Sequence, residues 1–343
     1  MKALFYSKPG VENLTFADYQ LTDIRDDEVL VETKCMGVNP IDYYTITGIH
    51  GINGPKIKIS PYPHIPGTEV AGIVKRKGDR VKSNLVDGDR ILVYNRLFDG
   101  TCKYCTKNME MHCVNGGMIG LVTNGAFAEY IKVPYQNIIQ IPDEMRWEKA
   151  SALPIAGLTA FNAIEESGLK SGEYLLVFGG SGNTGLFCSQ IGKIMGSKVI
   201  SISSKPWVKD FGADFVFENN ASLKEQISDV TNGSMIDVVI NSLGEQTWSQ
   251  GMNMVGKLGR IISFGVLTGG NLITDGRLLY NNQITIKGIT GGSKEGLTRL
   301  IDLVNRENIR TKVWKRYSLG DSKKAVEQIF DKNREGRIII ENH

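Results

Sequence analysis

The sequence contains no apolar run near the ~20 residues needed to cross a bilayer, so no helix of this chain is expected to span a membrane. It also lacks an excess of either charge. Forty Lys and Arg stand against 37 Asp and Glu, a net +3, which argues against nucleic acid or an anionic membrane surface as the main partner. Internal repeats and low-complexity segments are absent, and the 41% hydrophobic and 22% charged content argues against disorder or a fibrous protein. The amino-terminal MKALFYSKPG has no apolar core before a cleavage site and reads as the start of a strand. The expectation is a soluble, cytoplasmic protein. Cysteine is scarce, five residues in 343, and three of the five fall between positions 102 and 113. That bunching suits a metal cluster better than a disulfide framework.

What is present is organised around residues 173–213. An uncharged apolar run, YLLVF, is too short for a helix and suits a parallel strand buried on both faces. Gly180-Ser181-Gly182-Asn183-Thr184-Gly185 follows, then a helical pattern with Leu186, Phe187, Ile191 and Ile194 on one side, closed by Gly196. A second strand, VISI, completes the unit. A G-x-G-x-x-G arises by chance in a chain with 39 glycines, but here the required strand and helix flank it. Its glycines let backbone approach a pyrophosphate whose charge rests on the helix N-terminus. NAD-binding folds usually carry an acid at the end of the second strand to hold the ribose 2′-OH. Ser203, Ser204 and Lys205 stand there instead, and the first acid is Asp210. Two hydroxyls and an ammonium suit a 2′-phosphate, so the expected cofactor is NADP(H), the alternative being that Lys205 is a solvated loop residue.

The length suggests two domains. Residues 1–150 read as β-rich, with strand-like runs at 28–33 and 70–74 and turns supplied by Pro61, Pro63, Pro66 and Gly67. A helix is expected over 148–167. Beyond the glycine unit, strand and helix signals alternate through residue 264, which predicts an α/β fold with a doubly wound parallel sheet. A last strand at 283–290, an amphipathic helix at 294–304 and a strand at 337–340 that rejoins the first domain complete the expected order.

The spacing Asp99-x2-Cys102-x2-Cys105-x7-Cys113 offers four ligands on one loop. Three thiolates and a carboxylate close a tetrahedral zinc shell with no open position, which makes the site structural. His112 is the alternative fourth ligand, although its neighbour Cys113 leaves it poorly placed. Cys35 and Cys188 stand alone and read as small core residues.

These residues together resemble the medium-chain dehydrogenase/reductase superfamily over nearly the entire chain. The resemblance is carried by Val38-Asn39-Pro40-Ile41-Asp42, the turn from Ile65 through Pro66-Gly67-Thr68-Glu69 to Gly72, the cysteine lobe, Ala156-Gly157-Leu158-Thr159-Ala160 and the glycine motif. It implies a GroES-like catalytic domain, residues 1–150 and 296–343, interrupted by a Rossmann domain at 151–295, with hydride transfer in the cleft between them. Zinc alcohol dehydrogenases of this superfamily hold catalytic zinc with a Cys-His-Glu/Asp-Cys set. This chain has Asn39, Thr68 and Ile155 at the corresponding places and keeps only Glu69. The closest pattern is therefore the zinc-free quinone oxidoreductase and enoyl reductase branch, most of which lacks the cysteine lobe.

Without a Lewis acid, hydride addition to a quinone, enone or enoyl thioester is favoured over alcohol oxidation, because the resulting phenolate or enolate can be held by hydrogen-bond donors. Asn39 supplies such a donor, and Tyr44 and His50 are candidate proton sources. His50 stands eleven residues after Asn39, where enoyl thioester reductases carry a catalytic tyrosine. It reads either as an acid–base group or as an exposed loop histidine. Tyr43 is a further donor or a packing residue, and His64 reads as structural. The resemblance implies Thr159 beneath the nicotinamide and Ser181, Asn183 and Thr184 at the pyrophosphate. It implies Asn241, Ser242, Leu243 and Gly244, with Phe264, Gly265 and Val266, along the riboses, and Arg337 either at a cofactor phosphate or solvated. Residues 48–63 shape the acceptor pocket, with Lys56 and Lys58 either meeting a coenzyme A phosphate or solvated. Residues 283–290 resemble the edge strand through which such enzymes form dimers or tetramers. The competing readings are a zinc alcohol dehydrogenase and a nucleotide-binding protein with little catalysis.

Overall fold

The computed structural model describes residues 1–51, 54–57, 59, 62–82 and 84–343. Lys58 and Pro61 lie outside the described residues. The alternating half of the chain builds a six-stranded, wholly parallel sheet. Its order is Phe215–Phe217, Lys198–Ile202, Tyr174–Phe178, Ile236–Asn241, Val255–Ser263 and Thr285–Gly288. Leu175 and Val177 of the central strand feed one apolar cluster, Leu176 and Phe178 another. A strand buried on both faces has no polar alternation to show, which explains the uniform YLLVF run. Strand order reverses between Tyr174–Phe178 and Ile236–Asn241, and at such a switch point the carboxyl ends of the strands leave a crevice for a ligand.

The other sheet has seven strands and is antiparallel except for one pair. Glu28–Gly37 is its centre, pairing with Glu69–Lys77, Tyr130–Pro134 and Arg337–Glu341. The strand expected at 337–340 thus rejoins the amino-terminal sheet, with Ile339 opposite Gly37. Ala71, Leu92 and Tyr94 from this sheet share a core cluster with Leu175 and Val177, so apolar packing joins the two halves of the molecule. Tyr94 also donates its hydroxyl to Gly292 O at 2.9 Å.

Two local expectations are corrected. The single helix expected over 148–167 is three pieces: Trp147–Ala150, a π-helical turn Leu153–Gly157 and the helix Leu158–Ser167. Pro154 has no N–H and cannot continue a regular ladder, so the chain widens there. Ile194, expected on the buried face of the helix Asn183–Ile194, is exposed, because that helix ends where it leaves the sheet.

Candidate active site

A cleft of about 550 Å³ lies between the two sheets. The glycine turn forms one wall. Gly179 adopts φ +73°, and Gly180 passes so close to the next strand that a Cβ there would lie 2.8 Å from Ser201 Cβ. A Cβ on Gly185 would lie 2.3 Å from Gly179 O. Side chains are therefore excluded from the turn, and bare backbone faces the cleft. Gly182 caps the helix Asn183–Ile194 without any side-chain hydrogen bond. The first N–H groups of that helix are left for a ligand, and the positive end of its dipole points the same way. Ser181, Gly182, Asn183, Thr184 and Gly185 all line the cleft, as do Thr159, Phe264, Gly265 and Val266. Asn183 Oδ1 is buried with no partner, an acceptor waiting for a donor. A phosphate group fits the chemistry of this cradle, bare backbone and a helix N-terminus.

The opposite end of the cleft is formed by the helix Pro40–Thr47 and the loop after it. Asn39 caps this helix and lines the cleft, together with Tyr44 and His50. The rings of Tyr44 and His50 are 5.8 Å apart, and Tyr44 stacks on Phe330 at 6.1 Å. Burial raises the Tyr44 pKa, so its phenol stays protonated and available as a donor. Tyr43 packs edge-on against Phe330 at 5.0 Å and does not line the cleft, which favours its packing reading. His64 is buried, its Nε2 3.0 Å from Gly120 O, and burial lowers its pKa, in keeping with a structural role. Lys56 is exposed and does not line the cleft.

Behind Asn39 sits a buried polar network centred on Glu69, which is 0% exposed. Glu69 Oε1 accepts from the backbone N–H groups of Ile155 at 2.9 Å and Ala156 at 3.1 Å. The π-helical turn aims both at it. Glu69 Oε2 accepts from Asn39 Nδ2 at 2.8 Å and from Arg337 Nη2 at 2.6 Å. A carboxylate only accepts, so this contact fixes which end of the Asn39 amide faces inward. Gly37 makes room for the pair, since a Cβ there would lie 1.8 Å from Arg337 Nη2. Asp42 completes the network, accepting from Asn39 N at 2.7 Å and Thr68 Oγ1 at 2.9 Å. Burial pushes its pKa up to about 7, against the pull of the Asn39 and Thr68 hydrogen bonds.

Two expected cofactor contacts are corrected here. Arg337 does not reach the cleft: it is 2% exposed, and its charge is spent on Glu69. The sequence offered a cofactor phosphate or solvent as its surroundings because its partner is 268 residues away and invisible to spacing. Asn241 is fully buried, and its Oδ1 accepts from Leu243 N, Gly244 N and Thr247 Oγ1. It shapes the turn, while the neighbouring Ser242 and Leu243 line the cleft. Ser203, Ser204 and Lys205 lie beyond the lining residues but directly beside the glycine turn, where Gly180 N donates to Ile202 O at 3.0 Å. Ser203 Oγ accepts from Lys205 N at 3.0 Å, and Lys205 Nζ stands 3.5 Å from Glu335 Oε1. Gly179, Phe330 and Arg334 are lining residues that the sequence reading passed over. Gly179 carried a signal, being one of two adjacent glycines after the strand; Phe330 and Arg334 carried none.

Asp99, Cys102, Cys105 and Cys113 converge, with one ligand atom from each within 4.8 Å of the others. Cys102 and Cys105 sulfurs are 3.5 Å apart. A tetrahedral zinc with Zn–S of ~2.3 Å has ligand edges of about 3.8 Å, so the donor set and spacing suit it. Backbone N–H groups of Cys102 and Thr101, with Asn115, hold the Asp99 carboxyl well below the usual range. N–H groups of Cys105 and Val114 pull the Cys102 thiol down to about 7. No other group of three or more metal-ligating side chains meets this spacing among the described residues. Cys35 and Cys188 are buried core residues, as expected.

Residues 25–143 match the family model for the alcohol dehydrogenase GroES-like domain, and residues 184–306 that for zinc-binding dehydrogenase. A thermostable alcohol dehydrogenase from Pyrobaculum aerophilum is 33% identical over 99% of both chains, and its structure superposes with a TM-score of 0.90. An NAD-dependent alcohol dehydrogenase of Sulfolobus acidocaldarius is 27% identical over 99% of each chain. An acryloyl-coenzyme A reductase of Sulfurisphaera tokodaii is 26% identical over 94% of this chain and 96% of its own.

Proposed function

Since the chain belongs to the medium-chain dehydrogenase/reductase superfamily, we propose that it is an NADPH-dependent reductase of quinones or activated C=C bonds, such as enones and enoyl thioesters, working without catalytic zinc. The observation that carries this reading is the set of partners on Glu69. The place where a zinc alcohol dehydrogenase gathers metal ligands holds Asn39, Thr68 and Ile155, and the surviving carboxylate is already bound by two backbone N–H groups, Asn39 and Arg337. An acid so occupied, in no group of three or more metal-ligating side chains among the described residues, makes a poor metal site.

The dinucleotide, when bound, supplies a hydride. The residues of the chain do the rest. Gly182–Gly185 backbone groups hold the pyrophosphate, and Thr159, Gly265 and Val266 flank the nicotinamide end. Asn39 has one Nδ2 hydrogen left after serving Glu69, and it stabilises oxygen charge developing on the acceptor. Tyr44 or His50 delivers the proton that turns the enolate or phenolate into product. The cysteine lobe holds one structural zinc. The domain division at residues 150 and 295 belongs to this reading, supported by the two separate sheets. So does a dimer formed through Thr285–Gly288, an exposed edge strand near the exposed Tyr280 and Ile286, whose open backbone needs covering. Light scattering that gives a single-chain mass would remove the dimer.

NADPH oxidation across quinones, enones, enoyl-coenzyme A esters and, in reverse, primary alcohols tests the function. Turnover of the first three classes and none of alcohols is expected. Asn39→Leu should lower kcat by about 10²–10³-fold, the usual cost of losing an oxyanion donor, with NADPH affinity unchanged. The second reading, a zinc alcohol dehydrogenase, is favoured by the Pyrobaculum and Sulfolobus relatives. It requires turnover of alcohols that a chelator abolishes.

A further inference from the structure

Asn115 is not among the four converging metal ligands, yet it is bonded to one of them. Its Nδ2 donates to Asp99 Oδ2 at 2.7 Å, sixteen residues back along the chain. The other oxygen already has two donors: Asp99 Oδ1 accepts from Thr101 N at 2.8 Å and from Cys102 N at 2.9 Å. Those two come from the next turn of backbone, the contacts an aspartate makes wherever the chain folds back on it. The Asn115 contact comes from the opposite end of the lobe and has no such local cause. A carboxylate offers about four acceptor directions. These donors fill three of them and leave one for a metal.

A tight turn delivers Asn115 to this place. Gly116 N donates to Cys113 O at 3.1 Å, so the turn that ends the lobe starts at a thiolate ligand. A Cβ on Gly116 would lie 2.5 Å from Leu97 O and 2.9 Å from Cys113 Cβ, which is why glycine follows Asn115. Just beyond, Leu97 pairs with Gly117 and Arg96 with Met118, a short ladder that joins the two ends of the lobe. Asp99 N also donates to Cys113 Sγ at 3.3 Å. Asp99, Cys113 and Asn115 are thus tied to one another by the protein itself. Asn115 is exposed, so its side chain is not there to fill a core.

We infer that Asn115 is a positioning residue of the lobe, steadying the Asp99 carboxylate for a zinc ion and thereby raising the affinity for the metal. The inference rests on the zinc reading of the lobe. A carboxylate, unlike a thiolate, has two oxygens and turns about its last bond, so its orientation has to come from hydrogen bonds around the ligand. Four anionic ligands also outweigh the double charge of the ion, and N–H donors offset the excess.

The test reads zinc affinity by competition with a chromogenic chelator on the full-length wild type, Asn115→Ala and Asn115→Asp, and on the same set carrying Asp99→Cys. Asn115→Ala should weaken zinc about tenfold or more, the usual cost of losing a partner of a metal ligand. Asn115→Asp keeps the shape but sets one carboxylate against another, and should cost more than alanine. In the Asp99→Cys background, where the ligand is a thiolate, Asn115→Ala should leave the affinity where it stands. Cobalt(II) in the lobe gives a second readout: in Asn115→Ala the d–d bands of the four-coordinate ion should weaken while the sulfur-to-cobalt charge-transfer band stays. Equal zinc affinity in the wild type and Asn115→Ala overturns the inference. So does a loss that persists in the Asp99→Cys background, which would make Asn115 a residue of the lobe's fold and not of its ligand. If the wild type itself binds no zinc, the reading of the lobe fails, and that result appears before any substitution.

Discussion

At the scale of single residues, the site is governed by who satisfies Glu69. A buried carboxylate must be paired or hydrogen-bonded, and here four donors share its two oxygens. Asn39 is thereby oriented by a charge that it did not need a metal to meet. Asp42, three residues on, is in a weaker position: its two acceptor contacts, from Asn39 N and Thr68, do not offset burial, and its pKa rises to about 7. A carboxyl whose folded pKa lies above its unfolded value holds its proton more tightly when folded. Its stabilising contribution is complete below the unfolded pKa near 4 and is lost as pH climbs through about 7. Urea midpoints of the wild type should therefore fall between pH 5 and 8 relative to those of Asp42→Asn, which keeps an acceptor for Asn39 N but cannot ionise. Parallel midpoints over that range would show that Asp42 is ionised throughout.

At the scale of elements, the proposed reading has the strand Lys198–Ile202 and the turn after it select the dinucleotide. Ser203 Oγ closes a local turn onto Lys205 N, and an aspartate at the same position can make that contact too. Ser203→Asp should therefore keep the turn while placing negative charge where a 2′-phosphate would lie. We expect NADPH affinity to drop by about tenfold or more and NADH affinity to hold or improve, read from KM values for each. Unchanged preference for NADPH would remove this account of selectivity. The same scale shows what sequence makes visible. The strand–turn–helix of the glycine motif and the cysteine lobe are each encoded within about 30 residues, so their spacing alone reveals them. The helix expected over 148–167 failed at one residue, Pro154, and the π-helical turn there is what brings the backbone N–H groups of Ile155 and Ala156 onto Glu69.

At the scale of the whole molecule, the β-rich first part, the parallel sheet after it and the last strand's return were legible because hydrophobic runs and turns are local. The closure of the site was not. Glu69 meets Arg337 across 268 residues, and Phe330 meets Tyr44 across the same fold. Such contacts follow from the last strand rejoining the first sheet, and no short-range pattern carries them. Arg337 read as solvated or phosphate-bound for that reason, and Arg334 did not register at all. The consequence is a chain that belongs to a family of zinc enzymes while, on the reading proposed above, its reaction centre is assembled from organic groups. Among the described residues, the outlying lobe of Asp99, Cys102, Cys105 and Cys113 alone gathers a metal-binding donor set.

Metal content measured alongside turnover tests that division most directly. Purified active enzyme should hold one zinc per chain, and a Cys105→Ser variant that remains folded should hold none while still oxidising NADPH with its acceptor at close to the wild-type rate. A second zinc that persists in Cys105→Ser, with turnover vanishing when it alone is stripped, would contradict the account.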